Sequence, residues 1–171
     1  MKRDDQHVRL RAIEPEDLDL LYRIENDREL WSVGETNVPY SRFALHDYVA
    51  NASLDIYKDR QVRMMIDNQQ GETVGIVDIV NFNPQHGRAE IGIVIQKQYR
   101  NMGYAQSAVR KVLEYSRDVL NLHQLYAIID ENNMISLKLF ESLGFKKNCR
   151  MEEWLCVGKN FHHAWFMQFF L

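Results

Sequence analysis

The chain has 171 residues, enough for one domain with a hydrophobic core and too few for two domains of ordinary size. Its net charge of −3 at pH 7 argues against nucleic acid as the main partner, because phosphate backbones are bound by basic surfaces, but it allows a cationic small molecule. No apolar run approaches the roughly 20 residues that span a bilayer, and the charged start leads into no signal-like segment. We therefore expect a single cytoplasmic domain over residues 1–171 that binds neither nucleic acid nor membrane.

Hydrophobic periodicity predicts two helices and four strands in the first part of the chain. Val8, Leu10 and Ala12 alternate with arginines, as in a strand, and Pro15 stands where a helix favours a proline in its first turn. Ser41 is expected to cap the second helix. In chain order, we predict a strand over 7–13, helices over 15–27 and 41–59, and strands over 61–67, 73–82 and 88–95.

The second part of the chain alternates helices with strands and ends in a hairpin, which together with the first part indicates one α+β domain. We predict a helix after residue 105, a strand over 125–129, a helix over 134–143, and hairpin strands over 145–157 and 161–171. The apolar segment 165–171 is expected to be a buried strand, with a subunit interface of a homo-oligomer as the alternative. Cys149 and Cys156 are expected to be reduced, half-buried thiols.

A short turn between the strand predicted over 88–95 and the next helix has the features of a phosphate-binding site. In the segment RNMGYA at 100–105, Gly103 allows a close approach of the backbone, and Ala105 keeps the first helical turn small. The N–H groups at a helix N-terminus bind anions, and Arg100 adds charge-assisted hydrogen bonds. The chain lacks the glycine patterns of a P-loop and of a Rossmann site. Taken alone, the turn fits a diphosphate cradle and a tight connection that binds nothing equally well.

A second block, at 133–145, stands one helix and one strand further on. Its sequence NMISLKLFESLGF resembles the pattern N-x-x-A-x-x-L-Y-x-x-x-G-F of the GNAT superfamily of acyl-CoA N-acyltransferases. The turn at 100–105 matches the signature of that superfamily, which is Gln or Arg, two residues, Gly, one residue, and Gly or Ala. The two matches stand in the family's order, and the resemblance covers roughly residues 88–145.

The resemblance implies an α+β fold with a bent, mixed and mostly antiparallel sheet, splayed at the acetyl-CoA site, with helices on both faces. Acetyl-CoA would pair its pantetheine amides with the strand that ends near Ile95, and its diphosphate would lie on the amides of 101–104. Asn133 would bind the pantetheine, although a plain helix N-cap explains this residue equally well. No metal is implied. The residues that the resemblance assigns to acetyl-CoA are Ile93, Val94, Ile95, Arg100, Asn101, Met102, Gly103, Tyr104, Ala105, Asn133 and Phe140.

Amine acetylation needs a group that removes a proton from the amine, because a protonated amine has no lone pair. Glu90 is the candidate base, since it alternates with the isoleucines of 91–95 beside the expected acetyl position; an ordinary solvent-facing glutamate is the alternative. The tyrosine with which the family protonates the coenzyme A thiolate falls at Phe140, which has no hydroxyl. Water, Ser136 or Tyr104 could take that role, because a thiol with a pKa of ~8.5 also leaves as a thiolate.

Three segments resemble the spermidine/diamine N-acetyltransferase branch of the superfamily: RAE at 88–90, LNLHQLY at 120–126 and GKNF at 158–161. The resemblance implies a polyamine such as spermidine as the amine, with a peptide or protein N-terminus as the second choice. A non-catalytic module that senses acyl-CoA or polyamine is the alternative of another class, because Phe140 lacks the hydroxyl. The acidic residues that could bind a cationic amine, or form only a solvated face, are Glu25, Asp27, Glu29 and Glu35.

Overall fold

The computed structural model describes residues 8–30, 38–53 and 55–171, and these form five α-helices and seven strands. The helices are α1 (Leu18–Glu25), α2 (Arg42–Ala50), α3 (Ile56–Asp59), α4 (Tyr104–Asp118) and α5 (Met134–Ser142). The strands are β1 (Val8–Arg11), β2 (Val62–Asn68), β3 (Thr73–Asn83), β4 (Arg88–Ile95), β5 (Gln124–Asp130), β6 (Lys146–Val157) and β7 (Asn160–Phe170). Among the helices of these ranges, none has the length and apolar character that a bilayer crossing requires.

All seven strands belong to one sheet, in the order β1-β2-β3-β4-β5-β7-β6. Every neighbouring pair is antiparallel except β4 and β5, which run parallel. A parallel pair needs a long crossover connection, and α4 provides it between β4 and β5. The predicted α+β fold with a mixed, mostly antiparallel sheet is therefore confirmed.

Helices cover both faces of this sheet, as predicted. Side chains of a strand point alternately to its two faces, and here both faces carry apolar side chains that the helices bury. The larger core lies on the face that α4 and α5 cover, and its buried residues include Val77, Ile79, Ile91, Val109, Val112, Leu125, Leu137 and Phe140. The smaller core lies on the face that α1 and α2 cover, and its buried residues are Leu20, Leu21, Ile24, Leu45, Met65 and Ile76. We call these the α4 face and the α1 face.

The second predicted helix is shorter in the structure than in the prediction. Ser41 caps α2 as predicted, because its hydroxyl accepts a hydrogen bond from the N–H of Ala44 at 3.0 Å. The single helix over 41–59 is wrong, since α2 ends after nine residues and α3 is separate. Asp55 begins the new helix by accepting a hydrogen bond from the N–H of Tyr57 at 2.9 Å, and this cap competes with a continuous helix.

The C-terminal hairpin forms as predicted, and β7 lies inside the sheet between β5 and β6. The apolar segment 165–171 therefore belongs to a strand of the sheet as predicted, but it is buried only in part, since Met167 is buried and Phe170 is 59% exposed. β6 is an edge strand whose side chains are mostly exposed. Cys149 and Cys156 lie on it as free, exposed thiols, so the prediction that they are half-buried is wrong. An edge strand has no neighbour on one side to cover its residues.

A cluster of ion pairs ties β1 to the start of α1 and to the β2–β3 hairpin. Arg11 donates to Asp17 at 2.7 and 2.8 Å and to Asp67 at 2.7 Å, and Thr73 donates to Asp67 at 2.8 Å. The two carboxylates are only 8% and 6% exposed. Burial alone would raise the pKa of both Asp17 and Asp67, but the hydrogen bonds from Arg11 and its charge outweigh burial and lower both pKa values.

We predict that Asp67→Asn lowers the free energy of unfolding at neutral pH by roughly 3 kcal/mol, because it leaves Arg11 with an incomplete set of partners. A carboxylate with a lowered native pKa stabilises the fold above its ordinary pKa, and this contribution disappears as the pH falls through the native value. The difference between wild type and variant in urea unfolding should therefore shrink as the pH is lowered from about 5.

The matched control for this experiment is Asp19→Asn. Asp19 pairs with Arg42, and both side chains are largely exposed, at 70% and 56%. Water and salt screen such a pair, so its loss should leave the urea midpoint unchanged. Equal midpoint shifts in the two variants would contradict a special role for the buried cluster.

Candidate functional site

The sheet opens between β4 and β5 shortly after the two strands begin to pair. Their parallel ladder joins only Arg88, Ala89 and Glu90 to 124–126. Beyond Glu90, β4 continues to Ile95 paired with β3, and β5 continues paired with β7. Two strand edges therefore face each other across a V-shaped opening whose closed end lies at Glu90.

The β4 side of this opening contains the strand segment that was predicted to bind acetyl-CoA. Ile93 and Ile95 pack on the core of the α4 face, and Val94 packs on that of the α1 face, so their side chains hold the strand in place. An added Cβ on Gly92 would meet no atom within 4 Å, so there is open space over the strand next to Glu90. An extended ligand with amide groups can hydrogen-bond to such an unpaired strand edge.

The predicted phosphate cradle lies directly beyond the end of β4. Gly103 caps α4 with a φ of 85°, a left-handed conformation that side chains disfavour. The first intrahelical bond there runs from the N–H of Ser107 to the carbonyl of Gly103, at 3.1 Å. The amides of Tyr104, Ala105 and Gln106 precede it and have no acceptor within the helix, so they can bind an anion.

Two further residues shape this turn. Arg100 is exposed, and its Nε donates to the carbonyl of Ile95 at 3.1 Å, which fixes the guanidinium beside the end of β4. Asn101 has a φ of 63° and so turns the chain in the left-handed region. Met102 is exposed on the same turn. The turn therefore places backbone N–H groups and one positive charge at the wide end of the opening.

The second predicted block lies on α5, at the β5 side of the opening. The Oδ1 of Asn133 accepts a hydrogen bond from the N–H of Ser136 at 3.1 Å, so Asn133 is a helix N-cap in the structure. Phe140 is 3% exposed, and its ring packs edge-on against Phe145 with centroids 4.9 Å apart. At the position of the family's tyrosine, this chain therefore has a buried hydrocarbon ring.

Glu90 lies at the closed end of the opening, on the α1 face. It is half-buried, and its Oε2 accepts a hydrogen bond from the Nδ2 of Asn81 at 2.9 Å. Tyr126 of β5 stands opposite Glu90 in the parallel ladder. Burial and the charge of Glu90 both raise the pKa of the Tyr126 phenol, so Tyr126 is protonated at neutral pH.

The acidic residues near α1 face basic side chains. Glu25 pairs with Arg63, which also donates to both carboxylate oxygens of Asp78, at 2.7 and 2.8 Å. Burial alone would lower the pKa of Arg63, but the bonds and charges of these two carboxylates raise it. Glu29 lies 2.5 Å from the amino group of Lys97. Glu25 and Glu29 therefore each have a basic partner in the structure.

The remaining predicted acidic residues are Asp27 and Glu35. Asp27 accepts a hydrogen bond from the backbone N–H of Glu29 at 3.0 Å, so it shapes the turn after α1. Glu35 lies outside the described residues. At the far end of β5, His162 lies 2.7 Å from Asp130. Across the described ranges, no group of three or more His, Cys, Asp or Glu side chains could hold a metal ion.

Two residues of this site were missed from the sequence, Asn81 and Tyr126. Tyr126 could have been found, because β5 alternates buried Leu125, Ala127 and Ile129 with residues that point to the face of Glu90. Asn81 gave no such signal, since its contact with Glu90 depends on an irregularity of β3 that the hydrophobic pattern does not show.

Comparisons with known proteins agree with this geometry. A family model described as an acetyltransferase (GNAT) domain matches residues 7–146. The spermidine N(1)-acetyltransferase of Escherichia coli K12 is 30% identical over 138 residues, which cover 81% of this chain and 72% of that protein. The spermidine N(1)-acetyltransferase of Vibrio cholerae is 27% identical over 156 residues, or 91% of this chain and 88% of that protein.

A solved structure of the Vibrio cholerae spermidine N-acetyltransferase in complex with CoA and spermine is also similar. It superposes with a TM-score of 0.86 at 25% sequence identity, covering 98% of this chain and 96% of the other. The family match extends over more than half of the chain and contains β4, the turn at 100–105 and α5. The chain therefore belongs to the GNAT family of acetyltransferases.

Proposed function

We propose that this protein transfers an acetyl group from acetyl-CoA to a primary amine of a polyamine such as spermidine. The observation that carries the proposal is the V-shaped opening, with a phosphate cradle at its wide end and Glu90 at its closed end. The relatives named for spermidine acetylation, and the solved structure with CoA and spermine, support the choice of amine. Acetyl-CoA would supply an acetyl group activated as a thioester.

The residues around the opening fit acetyl-CoA. The unpaired edge of β4 at Ile93 to Ile95 would bind the amides of its pantetheine. The N–H groups of the turn and of the start of α4, over 101–106, would bind its diphosphate together with Arg100. The Oδ1 of Asn133 caps α5, so its contribution to the pantetheine would come from its Nδ2 group. Phe140 would contribute an apolar surface under the thioester, in the core that it shares with Phe145.

Glu90 would accept the proton that the amine must lose. A primary amine is protonated at neutral pH and has no lone pair until that proton leaves. The position of Glu90 beside the open space over Gly92 supports this role, since an amine in that space would lie on the same face of β4 as the carboxylate. The thiolate would leave without a tyrosine at position 140, protonated by water, by Ser136 or by Tyr104.

Separate observations support a location, a domain organisation and an assembly for this protein. We propose a cytoplasmic location, which the two free and exposed thiols of Cys149 and Cys156 support, because such thiols persist in a reducing compartment. A single domain over residues 1–171 is supported by the one sheet that all seven strands share. A homo-oligomer is supported by the dodecameric form in which the Vibrio cholerae relative has been solved.

The first prediction from the proposed function concerns the amine. In an assay of thiol release from acetyl-CoA, spermidine and spermine should give a higher kcat/KM than a monoamine such as propylamine or a peptide with a free N-terminus. Exposed Cys149 and Cys156 react with thiol reagents, so an enzyme-only blank is the control. Faster turnover of the peptide would favour an N-terminal acetyltransferase. Tight acetyl-CoA binding without thiol release for any amine would indicate a sensing module.

The second prediction concerns Glu90. Glu90→Gln should lower kcat/KM for the amine at neutral pH by about 100-fold, which is typical for loss of a general base. The Kd of acetyl-CoA, measured by calorimetry, should stay within a factor of two, roughly, because the carboxylate lies at the closed end of the opening. Glu114→Gln on the exposed side of α4 is the control and should change neither quantity. An unchanged rate in Glu90→Gln would remove Glu90 from the chemistry.

The third prediction concerns the cradle. Gly103→Ala should weaken acetyl-CoA binding by at least tenfold, roughly, because a side chain disfavours the left-handed conformation and the turn must rearrange. Gly71→Ala is the matched control, since Gly71 has a similar φ of 80° and equal open space in the β2–β3 turn. Both variants should lose stability in thermal unfolding, but only Gly103→Ala should lose affinity. Equal affinities in the two variants would argue against a cradle at this turn.

A further inference from the structure

Asn81 stands at a β-bulge next to the closed end of the opening. The register of β3 on β4 pairs Val80 with Glu90 and then Asn83 with Arg88. Two residues of β3 therefore lie opposite the single residue Ala89, which is the arrangement of a bulge. Asn81 is the first of the two, and its φ of 51° lies in the left-handed region. A residue other than glycine is uncommon there and raises the energy of the fold locally.

The bulge decides which face the Asn81 side chain reaches. Val80 stands opposite Glu90 and shares its face of the sheet. In a regular strand the next residue would point to the other face, away from Glu90. The structure instead brings the Nδ2 of Asn81 to 2.9 Å from the Oε2 of Glu90. The same side chain lies beside the phenol of Tyr126, whose pKa it lowers against the larger opposing effects of burial and of Glu90.

We propose that Asn81 is a positioning residue for acetyl transfer, whose amide holds the Glu90 carboxylate ionised and aimed at the acceptor amine. The inference rests on the proposed function, in which the Glu90 carboxylate accepts the proton of the amine. The amide donates a hydrogen bond to the charged form of the carboxyl group and so favours that form. It gives up no proton itself: the proton of the amine passes to Glu90 and from there to water.

The groups around Asn81 and Glu90 limit how much loss of the Asn81 amide should reduce the rate. A cavity of about 500 Å³ lies beside this pair and is lined by Asn81, Tyr126, Arg60 and Arg88, among others. The charged and titratable groups around Asn81 and Tyr126 include Glu90 and Arg88, both on β4, and Arg60 before β2, which lines the same cavity. Arg88 stands two residues from Glu90 on the same face of β4, and its positive charge favours an ionised carboxylate, so loss of the Asn81 amide should impair Glu90 without neutralising it.

The test compares Asn81→Gly with Asn81→Asp. Glycine adopts the left-handed conformation without strain, so Asn81→Gly should be at least as stable as wild type in thermal unfolding. Its kcat/KM for spermidine at neutral pH should fall about tenfold, the value of one hydrogen bond to a charged group. The Kd of acetyl-CoA should not change. Asn81→Asp keeps the shape of the side chain but puts a second carboxylate beside Glu90, so the acid limb of the pH–rate profile should move to higher pH.

The double variant Asn81→Gly/Glu90→Gln separates this inference from the proposed function. If Asn81 acts through Glu90, the double variant should be no slower than Glu90→Gln alone. Wild-type kcat/KM in Asn81→Gly, or losses that multiply in the double variant, would overturn the inference while the role of Glu90 stands. An unchanged rate in Glu90→Gln would instead refute the role of Glu90 in the proposed function, and this inference with it.

Discussion

The early end of pairing between β4 and β5 is the constraint on which the rest of the structure depends. Three residue pairs join the two strands, and both strands then continue apart. The separation does not unravel the sheet, because β3 holds β4 and β7 holds β5 on their other sides. Backbone groups along the opening still need hydrogen-bond partners, which water or a ligand can provide. A ligand with amide groups could therefore pair with the main chain itself, with little demand on the side chains there.

The two cores give the opening two different sides. On the α4 face, one continuous core contains Ile91 of β4, Leu125 and Ala127 of β5, and Leu137 of α5, so apolar packing bridges the opening. On the α1 face, the core is confined to α1, α2 and the strands up to β4. Near the closed end of the opening, that face carries the polar residues Glu90, Asn81 and Tyr126 beside Val80. Among the described residues, the apolar core that spans the opening thus lies on the α4 face, and proton transfer is proposed on the other face.

Much of the fold was predictable from the sequence because its signals are local. The bounds of β4 follow from the alternation of apolar residues alone. Gly103 indicates the turn into α4, because few residues other than glycine adopt its left-handed conformation. The split between β4 and β5 left no trace in either strand, since pairing is a property of two segments that are far apart in the chain. The bulge at Asn81 was hidden for a similar reason. The family resemblance supplied the expectation of a splayed sheet, which the residue pattern could not.

Charge patterning identified acidic residues near α1 but not the basic partners that the sheet brings to them. Arg63 is 20% exposed and is held by both Glu25 and Asp78, so a substrate cation would have to displace a buried guanidinium to reach Glu25. Glu29 and Lys97 are 70% and 56% exposed, and such a pair exchanges one cation for another easily because water screens it. Of Glu25 and Glu29, Glu29 is thus the one whose ion pair can be exchanged without disturbing the fold. Glu25, by contrast, pairs with the partly buried Arg63 and so joins α1 to the sheet.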